Sequence, residues 1–138
     1  MKILVINGPN LNLRGNRETH IYGKQTIEEI LKTVASKYPT TTLDYLQSNV
    51  EGELVNFLQD ANERYDGIIL NAAAYTHTSI AIADAIKAIQ TPVVEVHLSN
   101  IFTREKERHT SLISANCIGS ISGFGPASYE LAIHYFNL

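Results

Sequence analysis

Three polar residues in this sequence stand where catalysis could occur, because each ends a short apolar run. They are Asn7, Asn71 and His97. Continuous runs rich in β-branched residues are typical of strands buried on both faces of a parallel sheet. In such a sheet the ligand crevice lies outside the carboxyl ends of the strands. We therefore expect Asn7, Asn71 and His97, with the loops that follow them, to meet at one cleft.

The strand that ends at His97 could supply a general acid. Glu95 lies two residues before His97, so both side chains point to the same face of a strand. A carboxylate inside a sheet rarely stays unpaired, and Glu95 could orient the imidazole and keep it charged, as an acid requires. The backbone N–H groups of Leu98 and Ser99 could bind a substrate carboxylate. The alternative is a Glu–His pair with only a structural role.

A base could come from the loop after the first strand, residues 8–25. A tyrosine ordinarily titrates near pH 10, and a guanidinium nearby lowers the pKa by stabilising the phenolate. Arg17 and Tyr22 could form such a pair, with the alternative that Tyr22 packs on the core and Arg17 is solvated. The loop has neither a Walker A sequence nor G-x-G-x-x-G, so it does not predict a phosphate site.

Two further segments could bind a small anionic substrate. Three alanines follow Asn71, which would let a ligand approach the backbone, and His77 stands beside a predicted helix start. Residues 104–109 are rich in charge, which is typical of a solvated surface, although an arginine there could bind a carboxylate or a hydroxyl oxygen. The histidines show no metal-ligand spacing and Cys117 is the one cysteine, so we expect neither metal nor cofactor.

Composition excludes several other classes of protein. The net charge of −3 argues against a general nucleic-acid or membrane-surface binder. One cysteine allows no internal disulfide, which fits a reducing compartment. The first apolar run is too short for a signal peptide, and no run is long enough to cross a bilayer. These features predict a cytoplasmic protein whose 138 residues form a single domain, 1–138.

The predicted elements alternate between strands and helices. Strands are expected at residues 2–7, 41–47, 67–71, 92–97 and 116–122. Helices are expected to begin at Thr26, at about Glu51, at Thr78 or Ser79, and at Pro126. The second helix is expected to end at Arg64. Helical crossovers between strands imply a parallel sheet. The fold class is therefore α/β: a flavodoxin-like three-layer sandwich with a five-stranded parallel sheet and helices on both faces.

Taken together, these segments resemble the type II 3-dehydroquinate dehydratases. The resemblance begins with Gly-Pro-Asn-Leu-Asn at residues 8–12 and continues through Arg17 and Tyr22. It includes Asn-Ala-Ala-Ala-Tyr-Thr-His at residues 71–77, Glu-Val-His-Leu-Ser-Asn at 95–100, and the pair Arg104 and Arg108. The match spans essentially the whole chain. It implies dehydration of 3-dehydroquinate to 3-dehydroshikimate by anti elimination through an enolate, without metal or Schiff base.

The resemblance also implies a role for each catalytic position. Tyr22 corresponds to the group that removes the proton next to the ketone, and Arg17 to the residue that supports the phenolate and the enolate-like transition state. Asn10 corresponds to the position that holds a water near the enolate. His97, oriented by Glu95, corresponds to the acid that protonates the departing hydroxyl.

Substrate binding and assembly are implied in the same way. The positions that correspond to the substrate-binding set are Asn71, His77, Leu98, Ser99 and Arg108. Asp84 corresponds to an acidic residue that reaches the site of a neighbouring subunit. The family assembles as a dodecamer of trimers, so a homo-oligomer is implied, with no nucleic-acid or membrane partner.

Rival functions for the same fold lack their sequence features. A flavin binder would need a Ser/Thr-rich phosphate loop after the first strand, where this chain has residues 8–12 instead. A response-regulator receiver would need clustered acids near the end of that strand and a lysine after the fifth, and the chain has Asn7-Gly8 and Ser122-Gly123. A catalytically dead scaffold is disfavoured because Tyr22, Arg17 and His97 are all present.

Overall fold

The computed structural model describes residues 1–13 and 25–138, and within them the chain forms a five-stranded parallel sheet. The strands are β1 (Lys2–Asn7), β2 (Thr42–Gln47), β3 (Gly67–Asn71), β4 (Val93–His97) and β5 (Gly119–Ser122). Their order across the sheet is β2-β1-β3-β4-β5, and every neighbouring pair is parallel. This is the flavodoxin-like strand order, and it confirms the predicted fold class.

Four helices in the described part of the chain cover the two faces of the sheet. They are α1 (Ile27–Ala35), α2 (Glu51–Ala61), α3 (Ile80–Ala88) and α4 (Ala127–Phe136). Alternate residues of β1 enter different cores, because successive side chains of a strand point to opposite faces. Leu4 and Ile6 pack with α2 and α3, whereas Ile3 and Val5 pack with α1 and α4. The sheet is thus buried on both sides, as its apolar runs predict.

Two of the four described helices begin at the polar caps that the sequence predicts. Thr26 precedes α1, and its hydroxyl accepts a hydrogen bond from the backbone N–H of Glu29 at 3.2 Å. Ser79 precedes α3 and accepts from Ile82 at 2.9 Å. These side chains satisfy backbone donors that a helix N-terminus would otherwise leave unpaired.

Two element boundaries differ by three residues from the sequence prediction, whereas β2 and β4 begin only one residue later than predicted, at Thr42 and Val93. Helix α2 ends at Ala61 rather than Arg64, because Asn62 leaves the helical conformation and Glu63 has a positive φ of 63°. The freed Asn62 side chain accepts from the N–H of Gln90 at 2.7 Å and so ties this turn to the chain before β4. Strand β5 begins at Gly119 rather than 116, since residues 114–116 form a 3-10 turn.

The chain after β1 passes close to the end of β3. The N–H of Gly8 donates to the carbonyl of Asn71 at 2.7 Å, and a Cβ at Gly8 would lie 2.5 Å from the carbonyl oxygen of Ala72. Only glycine allows this approach. This approach directs residues 9–13 along the carboxyl edge of the sheet.

No helix in the described ranges has the length and apolar character needed to cross a membrane.

Candidate active site

A cavity of about 310 Å³ opens at the carboxyl edge of the sheet. It is bounded by the loops that follow β1, β3 and β4, which is where ligand sites of this fold lie. The structure brings these sequence-predicted residues to its wall: Asn10, Asn71, His77, His97, Leu98, Ser99 and Arg108. Arg104 lines it as well.

Glu95 and His97 form a buried pair at the end of β4. The Nε2 of His97 lies 2.6 Å from Oε2 of Glu95, and the side chains are 6% and 0% exposed. An ionised carboxylate only accepts hydrogen bonds, so Nε2 carries the proton and donates it. The other ring nitrogen, Nδ1, is not engaged by Glu95. The pair can therefore hold an oriented imidazole at the cavity wall.

Two serine hydroxyls also donate to the Glu95 carboxylate. Ser111 donates to Oε2 at 2.9 Å, and Ser114 donates to Oε1. Burial by itself raises the pKa of Glu95, but the hydrogen bonds from His97, Ser114 and Ser111 and the charge of His97 outweigh it and hold the pKa below its ordinary value. Glu95 is thus an ionised carboxylate inside the protein.

Because the pKa of Glu95 is lowered on folding, its contribution to stability is present at neutral pH and is lost as the pH falls below the unfolded value. We expect the free energy of unfolding to fall more steeply below about pH 4.3 in the wild type than in Glu95→Gln, by at most about 1.4 kcal/mol per pH unit. Urea unfolding at a series of pH values measures both slopes. Parallel curves would show that Glu95 does not bind an extra proton on unfolding.

His77 faces the same cavity with a defined tautomer. Its Nδ1 lies 2.8 Å from the carbonyl oxygen of Thr110, which can only accept, so Nδ1 carries a proton. The ring of His77 stacks on that of His97, with centroids 6.3 Å apart and planes 22° from parallel. The pair places two imidazoles side by side on one wall.

Two arginines give the cavity its positive charge. The guanidinium of Arg108 donates through Nε to Glu105 at 2.6 Å, and Arg104 donates through Nη1 to the hydroxyl of Ser99 at 3.3 Å. The Arg108 hydrogen bond and its charge hold the pKa of Glu105 below its ordinary value. Glu105 is exposed, so this ion pair orients the arginine more than it stabilises the fold. The wall suits a substrate that carries a carboxylate and hydroxyl groups.

The loop that carries Asn10 is held by residues that the sequence analysis did not select. Asn10 has a positive φ of 70°, and its N–H donates to Oδ1 of Asn49 at 3.0 Å. The amide of Gln47 donates to the carbonyl of Gly8 at 3.2 Å and to Asn49 at 3.1 Å. Gln47 ends β2 as Asn71 and His97 end their strands, so the same signal could have found it.

The prediction for Asn7 is wrong, since its side chain is fully buried and does not line the cavity. The hydroxyl of Tyr129, on α4, donates to Oδ1 of Asn7 at 2.8 Å, and Asn7 donates to the hydroxyl of Tyr45 at 3.3 Å. Burial raises the pKa of Tyr45 to about 12, although the bond from Asn7 acts in the opposite direction. Asn7 therefore belongs to a buried polar network beneath the site.

This network reaches the cavity through Asn71. Its Nδ2 donates to the hydroxyl of Tyr129 at 3.2 Å, and its Oδ1 accepts from the backbone N–H of Ala73 at 3.2 Å. With both ends of the amide engaged, the side chain has one orientation. Ala73 itself has a positive φ of 52°, which is costly for a residue with a Cβ and is typical of functional sites.

Removing the Tyr129 hydroxyl should release Asn71. We expect Tyr129→Phe to lower the free energy of unfolding by about 1–3 kcal/mol, because two buried amides each lose a partner, and to raise KM for the substrate. Tyr135→Phe, on the exposed side of the same helix, is the control and should change neither. Thermal unfolding and steady-state kinetics measure the two effects. Wild-type stability in Tyr129→Phe would show that the network does not hold Asn71.

Besides Asn7, four predicted site residues are not in the described cavity wall. Glu95 contacts His97 but does not itself line the cavity. Tyr22 and Arg17 lie outside the described residues. Asp84 is exposed on α3 and does not line this chain's own cavity. Its predicted role at the site of a neighbouring subunit stays a prediction.

Within residues 1–13 and 25–138 there is no group of three or more His, Cys, Asp or Glu side chains that could hold a metal ion. Burial, with a further contribution from the charge of Glu95, raises the pKa of the Cys117 thiol to about 12. Cys117 is therefore protonated at neutral pH and a poor nucleophile or metal ligand.

The fold and the cavity together define a class of protein: an α/β protein of flavodoxin-like topology with a buried Glu–His pair beside a cavity at the carboxyl edge of its sheet. Comparison with known proteins gives the family. Residues 1–137 match the model of the class II dehydroquinases. The chain belongs to this family, which confirms the resemblance drawn from its motifs.

Individual relatives agree with this assignment. A 3-dehydroquinate dehydratase of Fusobacterium nucleatum is 53% identical over 98% of this chain and 95% of its own length. One from Exiguobacterium is 54% identical over 97% of this chain and 92% of its own. The crystal structure of a type II dehydroquinase from Butyrivibrio crossotus superposes with a TM-score of 0.93 at 42% identity, covering 100% of this chain and 98% of that one.

Proposed function

We propose that this protein converts 3-dehydroquinate to 3-dehydroshikimate by loss of water, with its own side chains as acid and base. The observation that carries the proposal is the buried Glu95–His97 pair at the cavity wall of a chain in the class II dehydroquinase family. The same dehydration serves aromatic biosynthesis and quinate breakdown, and the proposal covers the chemistry common to both.

His97 is the proposed acid. Glu95 accepts from Nε2 and orients the ring, which leaves Nδ1–H of the imidazolium as the proton that can be given to the departing hydroxyl. When the C–O bond breaks, the hydroxyl leaves with that proton as water. His97 is then neutral and takes up a proton from solvent before the next turnover.

Tyr22 is the proposed base, on the resemblance to the family. Its phenolate would take the proton from the carbon next to the ketone, and the electrons of that C–H bond would form the enolate. The enolate then expels the hydroxyl from the opposite side of the ring, and a carbon–carbon double bond forms. Arg17 supports both anions, and Asn10, at the described cavity wall, holds a water near the enolate oxygen.

The remaining wall binds the substrate. Leu98 and Ser99 receive the carboxylate, and Arg108, His77 and Asn71 receive the hydroxyl groups. The charge and hydrogen-bonding capacity of these residues support this division, because Arg108 is a cation and Asn71 and His77 have defined orientations. Asp84 completes the site of a neighbouring subunit in a homododecamer built of trimers.

A direct assay tests the proposal. Purified protein mixed with 3-dehydroquinate should raise the ultraviolet absorbance of the conjugated enone, and neither a chelator nor borohydride added with substrate should abolish the activity. Quinate, which has an alcohol in place of the ketone, should give no product because it cannot form the enolate. The proposal fails if the enone does not form; loss of activity with borohydride would instead indicate an imine.

A further inference from the structure

The carboxylate of Glu95 is held by more than its histidine. We propose that Ser111 and Ser114 are positioning residues that keep Glu95 ionised and fixed, so that the proton of the buried pair stays on His97. This inference rests on the proposed function for its catalytic meaning, but its structural half can be tested on the protein alone. Neither serine is among the residues that line the cavity.

The contacts of the Ser111 hydroxyl fix the direction of its hydrogen bond to Glu95. Its oxygen lies 3.3 Å from the backbone N–H of Ile113 and 3.1 Å from that of Ser114, and both can only donate. With its acceptor capacity used in this way, the hydroxyl has one proton to give, and it points to Oε2 of Glu95 at 2.9 Å. Ser111 is thus set as a donor, which requires Oε2 of Glu95 to be an acceptor and disfavours a proton on that oxygen.

Both oxygens of the carboxylate are occupied. Oε2 accepts from His97 and Ser111, and Oε1 accepts from Ser114. A proton on either oxygen of Glu95 would meet a donor that already points at it. The three donors therefore select the ionised form and also fix the plane of the carboxylate, which in turn fixes the ring of His97.

Such support is needed because the pair is buried. In a medium of low dielectric constant, an ion pair can collapse to its neutral form by moving the proton from imidazolium to carboxylate. A neutral imidazole is a much weaker acid than imidazolium and would protonate the leaving hydroxyl poorly. Hydrogen bonds to the charged carboxylate offset this tendency, because bonds to ions are the stronger ones.

The segment that carries the serines also holds the second imidazole. The carbonyl of Thr110 accepts from Nδ1 of His77, and the N–H of Leu112 donates to the carbonyl of Thr76 at 2.9 Å. Residues 110–114 thus contact both histidines, one directly and one through Glu95. Among the described residues, Cys117 also responds to Glu95: burial, and to a lesser extent the charge of Glu95, raise the pKa of its thiol, which is neutral at working pH.

The test measures the titration of Glu95 itself. Protein labelled with ¹³C at the glutamate carboxyl carbons is titrated by NMR, and the Glu95 signal is identified by its loss in Glu95→Gln. Glu95 should titrate at higher pH in Ser111→Ala and in Ser114→Ala than in the wild type. Threonine at either position keeps the hydroxyl and should restore the wild-type titration. Ser36→Ala, which removes a hydroxyl from the end of α1, is the matched control and should leave the titration of Glu95 unchanged.

Kinetics test the catalytic half. Each alanine variant should lose about tenfold in kcat with little change in KM, since the serines act on the acid and not on substrate binding. Unchanged titration of Glu95, or unchanged kcat, overturns the inference. Should Ser111→Ala fail to fold because of its backbone contacts, Ser114→Ala decides the question. An inactive wild type with a shifted Glu95 in the variants would refute the proposed function and leave the positioning role intact.

Discussion

Replacement of His97 by alanine is expected to lower kcat for dehydration by about 10²–10⁴-fold, the usual contribution of a positioned general acid. The imidazole is held at the cavity wall by a 2.6 Å hydrogen bond to Glu95. In the variant, the departing hydroxyl has no proton donor. KM should change much less than kcat, because the loss falls on the transition state. Steady-state kinetics with 3-dehydroquinate measures both constants.

The control for this variant is His134→Ala. His134 contacts the hydroxyl of Tyr38 at 3.2 Å on the exposed side of α4. This substitution therefore also removes an imidazole, but one that lies away from the cavity. It should keep wild-type kinetics. Circular dichroism confirms that His97→Ala is folded, and a folded His97→Ala with kcat near the wild-type value would remove this residue from the mechanism.

The second large effect is expected at Tyr22. Tyr22→Phe should lower kcat by about 10²–10⁴-fold, because a ring without its hydroxyl cannot take the proton next to the ketone. The described cavity wall supports a phenol as base by its charge: Arg104 and Arg108 both line it, and guanidinium groups stabilise a phenolate nearby. The measurement is the pre-steady-state and steady-state rate of enone formation. Tyr38→Phe, whose hydroxyl contacts His134, is the matched control and should stay active.

One described residue competes with Tyr22 for the role of base. The Nδ1 of His77 donates to Thr110, so its Nε2 is the nitrogen that can accept a proton. His77→Gln retains hydrogen-bonding groups but cannot act as a base. We expect His77→Gln to raise KM with a smaller loss of kcat than Tyr22→Phe. The reverse order of the two kcat losses would assign the base to His77.

The sheet could be predicted because most of its strands are uninterrupted apolar runs in the sequence. In β1, β3 and β4 the runs end on Asn7, Asn71 and His97, and parallel strands bring those ends to one edge. The Glu95–His97 pair followed from the period of two residues along a strand. Both inferences need only local sequence, which is why they could be made without a structure.

The errors and omissions come from contacts between residues far apart in sequence. The position of Asn7 at a strand end predicts a place at the cavity, but Tyr129, 122 residues later, holds its amide beneath the site. Ser111 and Ser114 meet Glu95 across 16 and 19 residues through irregular chain. Nothing in the spacing of a serine in a loop predicts which carboxylate it will contact. Boundaries such as the early end of α2 depend on Asn62, whose side-chain bond to residue 90 is also non-local.

The central claim is that acid and base are separate groups, with His97 as the acid and Tyr22 as the base. The most direct test is deuterium uptake next to the ketone of 3-dehydroquinate recovered from heavy water, followed by NMR against an enzyme-free control. We expect His97→Ala to introduce deuterium without forming the enone, because the enolate still forms and returns, and Tyr22→Phe to introduce none. Deuterium uptake in Tyr22→Phe together with none in His97→Ala would contradict the account.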